Sequence, residues 1–148
     1  MKKHLKTSGL ALAVAIIVTA VLLLIVTAMA NLALKQASIS SSARDSQIAF
    51  YAADTGMECA LYWDIHSPSG TSAFSTSTGS QINCNNQSMM VGGSSKSVFT
   101  FNFSPDPFCT IVTVTKNTDG STLVESEGYN TCDPTSTRRV ERAVRARY

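Results

Sequence analysis

The chain has 148 residues, four of them cysteine, with only 15% charged and a formal net charge of +2. Without Lys2, Lys3 and Lys6 at its start the formal charge falls to −1, so the body is near neutral. That balance argues against a dedicated nucleic-acid binder, whose affinity comes from basic surface, and the length leaves room for one small domain.

Residues 1–9 form a basic leader ending in Gly9, and residues 10–34 are uncharged and mostly aliphatic. At ~1.5 Å per residue this run makes a helix of about 37 Å, longer than the ~30 Å hydrocarbon core requires. The positive leader predicts a cytoplasmic N-terminus and an exported C-terminal body, held by a single pass through the inner membrane. Three fates stay open for the N-terminus. The chain is an uncleaved anchor, is cut after Ala30 at an A-x-A secretory site, or is cut after Gly9 with the apolar run kept. The run exceeds the ~7–15 residues of a secretory core, and the residues that follow favour the third fate.

The helix is expected to continue through residues 35–65, to Asp64. This stretch holds no proline, and from Ile48 onward Ala49, Ala52, Ala53, Met57, Ala60 and Leu61 recur at three- and four-residue steps, an amphipathic pattern. The serine-rich residues 38–42 are its weak place, where a kink or melted turn is expected. Residues 66–96 read as a Ser/Thr/Gly-rich loop region, its first part anchored only by Phe74.

Period two begins after that. Phe99, Phe101 and Phe103 share one face of a strand at 98–103, and residues 109–115 are largely β-branched. Asp119-Gly120 marks a hairpin turn. Strands at 122–129 and 139–148 complete an antiparallel β-meander over residues 97–148, although Val140, Ala143 and Val144 also suit a helix. The aromatic face needs a cover, and the long helix is the element able to supply it. The fold class is α+β.

Cys59, Cys84, Cys109 and Cys132 are an even set with no two closer than 23 residues, which suits disulfides rather than a zinc knuckle. Three pairings are open; Cys59–Cys84 with Cys109–Cys132 is preferred, each loop contributing roughly 3 kcal/mol. No catalytic set is evident: His4 and His66 are far apart, and G-x-S-x-G, the G-K-[ST] ending and the calcium loop are missing. No enzyme activity, cofactor or metal is expected. Asp106, Asp119, Glu125, Glu127 and Asp133 read as solvated acids. Arg138, Arg139, Arg142, Arg145 and Arg147 form the strongest charge cluster. They are candidates for docking a partner's acids, with nucleic acid disfavoured. A solvated strand face paired to Glu125 and Glu127 is preferred, at ~0.2–1 kcal/mol per pair.

The stretch SQIAFYAADTGMECALY, residues 46–62, resembles the A-x-Y-A-A-[ED]-[AST]-G-[IM]-E segment of type IV minor pilins with a PilX-type N-terminus. A similar segment occurs in the tip pseudopilins of type II secretion. The resemblance implies cleavage by a prepilin peptidase between Gly9 and Leu10. It also implies storage in the membrane, then assembly with other pilin or pseudopilin subunits through the helix carrying Leu10, Val14, Leu22 and Leu34. The assembled protein would stand at the cell surface. The family usually has Glu at the fifth mature position, to neutralise a neighbour's amine; Val14 stands there. That departure implies a minor, priming or tip-proximal subunit. The alternative is a membrane-anchored or secreted disulfide-bonded binding module, such as an adhesin.

Overall fold

The computed structural model describes residues 8–148; Lys2, Lys3, His4 and Lys6 of the leader lie outside the described residues. Helix α1 runs Ser8–Ile65. Six strands follow: β1 Gly79–Cys84, β2 Gln87–Gly92, β3 Lys96–Asn102, β4 Cys109–Lys116, β5 Thr122–Tyr129 and β6 Glu141–Arg147. The chain divides into two compact units, the second being Ala43–Tyr148, and α1 contributes to both.

In the first unit α1 is helical throughout, residues 38–42 included. The melted turn expected at the serines is not formed. A serine costs only a fraction of a kcal/mol against alanine, less than opening the backbone hydrogen bonds of a mid-helix turn.

In the second unit β3, β4, β5 and β6 form a four-stranded sheet in chain order, every neighbour antiparallel. This is the expected meander, and the α+β class holds. The last segment is a strand rather than a helix. Phe99 and Phe101 are buried, as are Val112 and Val114 of β4 and Val124 of β5. Phe74 stacks on Phe99, which stacks on Phe101, at centroid distances of 5.9 and 6.5 Å.

The expectation of loop throughout residues 66–96 is corrected. β1 and β2 pair as a hairpin, Cys84 opposite Gln87, and the two-residue turn between them has positive φ at Asn85 (49°) and Asn86 (59°). That is a primed turn, whose twist matches the strands and which Asn tolerates. Side chains tie the hairpin to β3: Asn85 Nδ2 and Gln87 Nε2 each donate to Asn102 O at 2.7 Å, and Gly92 N donates to Ser97 Oγ at 3.0 Å. Ile82, Cys84 and Val91 are buried in the core from it, and Met89 packs against them.

The helix meets the sheet through small residues. Ala49, Ala52, Ala53 and Ala60 are fully buried, and Met57 nearly so. A Cβ on Gly56 would lie 2.6 Å from Thr110 Oγ1 and 2.8 Å from Val112 Cγ2, and would also clash with Ser126 Oγ. Beneath it Thr110 and Ser126, both fully buried, bond to each other at 3.1 Å, and Thr110 Oγ1 donates to Glu127 O at 3.1 Å. The fit is tighter still at Gly128, where a Cβ would collide with Ala49 O, Ala53 N and, at 2.9 Å, Ala53 Cα. Backbone lies on backbone there.

Three ties hold the C-terminal end of α1. Cys59 and Cys84 are bonded, with Cα atoms 6.0 Å apart, so helix and β1 are joined. Trp63 Nε1 donates to Asn83 O at 3.1 Å. Asp64, its side chain 3% exposed, accepts from Lys116 Nζ at 2.6 and 2.8 Å, from Tyr148 OH at 2.6 Å, and from Ser72 Oγ. Burial by itself raises the Asp64 carboxyl pKa, but the bonds from Lys116, Ser72 and Tyr148 and the lysine charge together hold it below its usual range. Burial, then the Asp64 carboxylate, pushes the Tyr148 phenol up.

Two outcomes follow for denaturant unfolding of the full chain. Gly128→Ala loses about 2–3 kcal/mol, because rigid helix backbone must move. Gly70→Ala, in open space at φ 71°, bears only the cost of a left-handed residue and loses about 1 kcal/mol. The pH dependence has one sign. A depressed carboxylate stabilises fully above its unfolded pKa of about 3.9, and that stability is lost as pH falls through the lower folded value. Stability therefore drops with acidification below about pH 4, and Asp64→Asn shows a shallower drop from a lower starting point.

Candidate functional site

Two features of α1 bear on function: the bare face of its first unit and the seat of its second. Within residues 10–34 fifteen large apolar side chains are solvent-exposed, including Leu10 (72%), Val14 (52%), Leu22 (55%) and Leu34 (72%). Burying each contributes roughly 1.5–3 kcal/mol, so the segment cannot rest in water. The helix is long and apolar enough to cross a membrane. The segment's two threonines are internally satisfied: Thr19 Oγ1 donates to Ile16 O, and Thr27 Oγ1 to Leu23 O and Leu24 O, all at 3.0 Å. No charge opposes lipid contact, and the alanines between leave room for another helix. Gly9 and Leu10 are both helical.

The seat explains the 46–62 stretch residue by residue. Ala49, Ala52, Ala53, Gly56 and Ala60 form the face on the sheet, where only small side chains fit. Phe50, Tyr51 and Tyr62 point away and are 48%, 65% and 50% exposed. Glu58 is exposed on the same side. This second, aromatic and acidic face of the helix has no cover among the described residues.

Cys109 and Cys132 are free thiols in the structure, so the expected second bridge is not formed. Asn102 links their neighbourhoods: it is paired with Cys109 across β3 and β4, and its Oδ1 accepts from Cys132 Sγ at 3.7 Å. Burial, then the Cys132 contact, pushes the Cys109 thiol up to about 12. Cys132 is brought there by its own backbone N–H, which donates to Pro107 O at 2.8 Å.

The five arginines do not form one patch. Strand alternation sends Arg142 toward the helix, where its Nε donates to Ser46 Oγ at 2.8 Å, and Arg145 and Arg147 to the other face. Arg145 pairs with Glu125 at 3.4 Å, as the sheet register requires, and Arg147 with Asp119 at 2.9 Å. Glu127 instead accepts from Tyr129 OH at 3.0 Å. Arg139 lies over the Tyr129 ring, 3.8 Å from its centroid, an attraction worth ~0.5–2 kcal/mol. Arg138 is exposed. Among the described residues no His, Cys, Asp and Glu group is placed to hold a metal ion.

No match was found among curated proteins or among solved structures. Residues 8–58 match the family model for the PilX N-terminal region, a family of structural proteins rather than enzymes. The matched span covers the apolar helix and most of its small-residue seat. Over residues 8–58, about a third of its length, this chain is therefore similar to the N-terminal region of the PilX family, and its long apolar helix fits that likeness.

Proposed function

We propose that this chain is a minor subunit of a type IV pilus or a type II secretion pseudopilus, processed by a prepilin peptidase between Gly9 and Leu10. The observation that carries the reading is the division of labour along α1. Residues 10–34 present apolar side chains on all sides, while Ala49 to Ala60 hold a sheet domain through a small-residue seat. Lipid tails are as apolar as leucine, so exchanging lipid for neighbouring helices costs little burial energy, and close packing then decides. The segment waits in the inner membrane, the C-terminal unit exported, and leaves lipid when a growing filament takes it up.

Val14 supports a priming or tip-proximal place. A buried N-terminal amine left unpaired costs several kcal/mol, and the fifth mature position here carries no carboxylate to neutralise it. A subunit with no neighbour above it needs none. The exposed face of Tyr51, Glu58 and Tyr62 is available to partner pilins, and exposed Arg138 to their acids. Cys109 and Cys132 close into a second disulfide in the oxidising exterior; both lie at Asn102, which pairs with Cys109 and accepts from Cys132 Sγ.

Mass spectrometry of the mature N-terminus, with and without a co-expressed prepilin peptidase, tests the reading. The expected result is peptidase-dependent appearance of Leu10 as first residue. A first residue of Asn31 discards the assembly helix and sinks the proposal; Met1 in both samples leaves a plain anchor and sinks it too. For the cysteines, the unreduced, denatured protein is expected to take up no thiol reagent. Uptake of two equivalents per chain means that Cys109 and Cys132 stay reduced.

A further inference from the structure

We propose that the second unit carries a binding site for a neutral pyranose sugar, in the pocket beside Trp63. The site is a cavity of about 330 Å³, at the small end of the ~300–1,000 Å³ range of ligand sites. Its lining combines the Trp63 indole with Ser67, Ser69, Ser80 and Gln81, and Pro68 and Ala73 supply apolar wall. No lining residue carries a charge. That excludes phosphate, metal ions and charged peptides as the preferred ligand, since each needs a countercharge when desolvated.

The combination suits one chemistry. A pyranose has an apolar face of C–H groups, which sits on the electron-rich face of an aromatic ring, and a rim of hydroxyls that both donate and accept. Serine hydroxyls and a glutamine amide do the same. The pocket walls are tied. Trp63 Nε1 is bonded to Asn83 O at 3.1 Å, which fixes the ring, and Ala73 N donates to Trp63 O at 3.1 Å. Gly70 N donates to Ser67 O at 2.9 Å, and the Ser67 and Ser69 hydroxyls bond at 2.9 Å. The Cys59–Cys84 bridge pins helix to β1 one turn away. Such walls limit the ordering cost of binding a small, weakly held ligand.

The neighbouring cavity makes a useful contrast. It is of similar size, about 350 Å³, and includes Phe74, Lys116 and Ser121. Its cation is spent: the three Lys116 donors go to both Asp64 oxygens and to Thr122 Oγ1 at 2.8 Å. Its aromatic ring, Phe74, is 1% exposed and offers no platform.

The site lies wholly within residues 43–148 and does not depend on processing or on a filament. The test uses the full chain in a zwitterionic detergent without sugar head groups. Methyl glucoside, methyl galactoside and N-acetylglucosamine are the probes, and sialic acid is the charged control. Saturation-transfer NMR is expected to detect saturable, millimolar binding of at least one neutral sugar and none of sialic acid. The single tryptophan provides a second readout, a change in emission over the same titration. Gln81→Ala, at an exposed position, is expected to weaken binding about tenfold, the loss of one ligand hydrogen bond. Ser121→Ala, in the other cavity, is expected to leave it unchanged. Absence of saturable transfer from all three neutral sugars overturns the proposal. So does binding with silent Trp63 emission, or binding that Gln81→Ala does not weaken.

Discussion

Everything in the C-terminal unit depends on how closely α1 approaches the sheet. At Gly128 the helix backbone at Ala49 and Ala53 occupies the space a side chain would need, and at Gly56 the converse holds. Two glycines, one on each partner, remove the side chains that would otherwise set the spacing. The alanines around them contribute little area each, so the seat is held by close contact over many atoms rather than by large side chains. The larger apolar groups, Phe74, Phe99, Phe101 and Ile82, gather toward the far end of the helix.

Such a seat is stable only if it cannot slide. The ties at the end of α1 act in different ways. The Cys59–Cys84 bridge restricts the unfolded chain over a loop of 25 residues, an effect of roughly 3 kcal/mol. The Asp64 carboxylate collects partners from a loop, from β4 and from Tyr148, so one charge draws three separate segments to the helix end. Desolvating it is costly, and the number and shortness of its bonds is what offsets the cost. On the far side β6 is left as an open edge. Its alternating Glu141, Arg142, Arg145 and Arg147 are the kind of charges that discourage another strand from adding there.

The same helix meets two different solvents. Residues 10–34 are apolar all round and make no tertiary contact that hides them, whereas the seat is one-sided. A single continuous helix thereby carries a segment long and apolar enough to cross a membrane and a structural spine, and the match over residues 8–58 spans both parts.

Much of this was legible in the sequence, because it rests on periodicity. An uncharged run of 25 residues, small residues at helical spacing and phenylalanines at every second position each dictate local structure without reference to the rest of the chain. The bond between Cys59 and Cys84 was the preferred one among three open pairings, on reasoning that also offered Cys109–Cys132. Residues 66–96 were not legible. The hairpin β1–β2 is polar, its Asn85-Asn86 turn signal is short, and it is held by side-chain bonds from Asn85 and Gln87 to Asn102 that no local pattern encodes. The arginines looked like one patch because they are adjacent in sequence; alternation and the partners Ser46, Glu125, Asp119 and Tyr129 dispersed them. Likewise nothing local announced that Asp64 would meet Lys116 and Tyr148, or that Trp63 would wall a pocket with Ser80 and Gln81. Outside residues 66–96, sequence determined which segments are helix, strand and apolar throughout, since those depend on neighbours along the chain. Tertiary structure alone decided which polar groups find each other, since that depends on the distance between segments the chain keeps far apart.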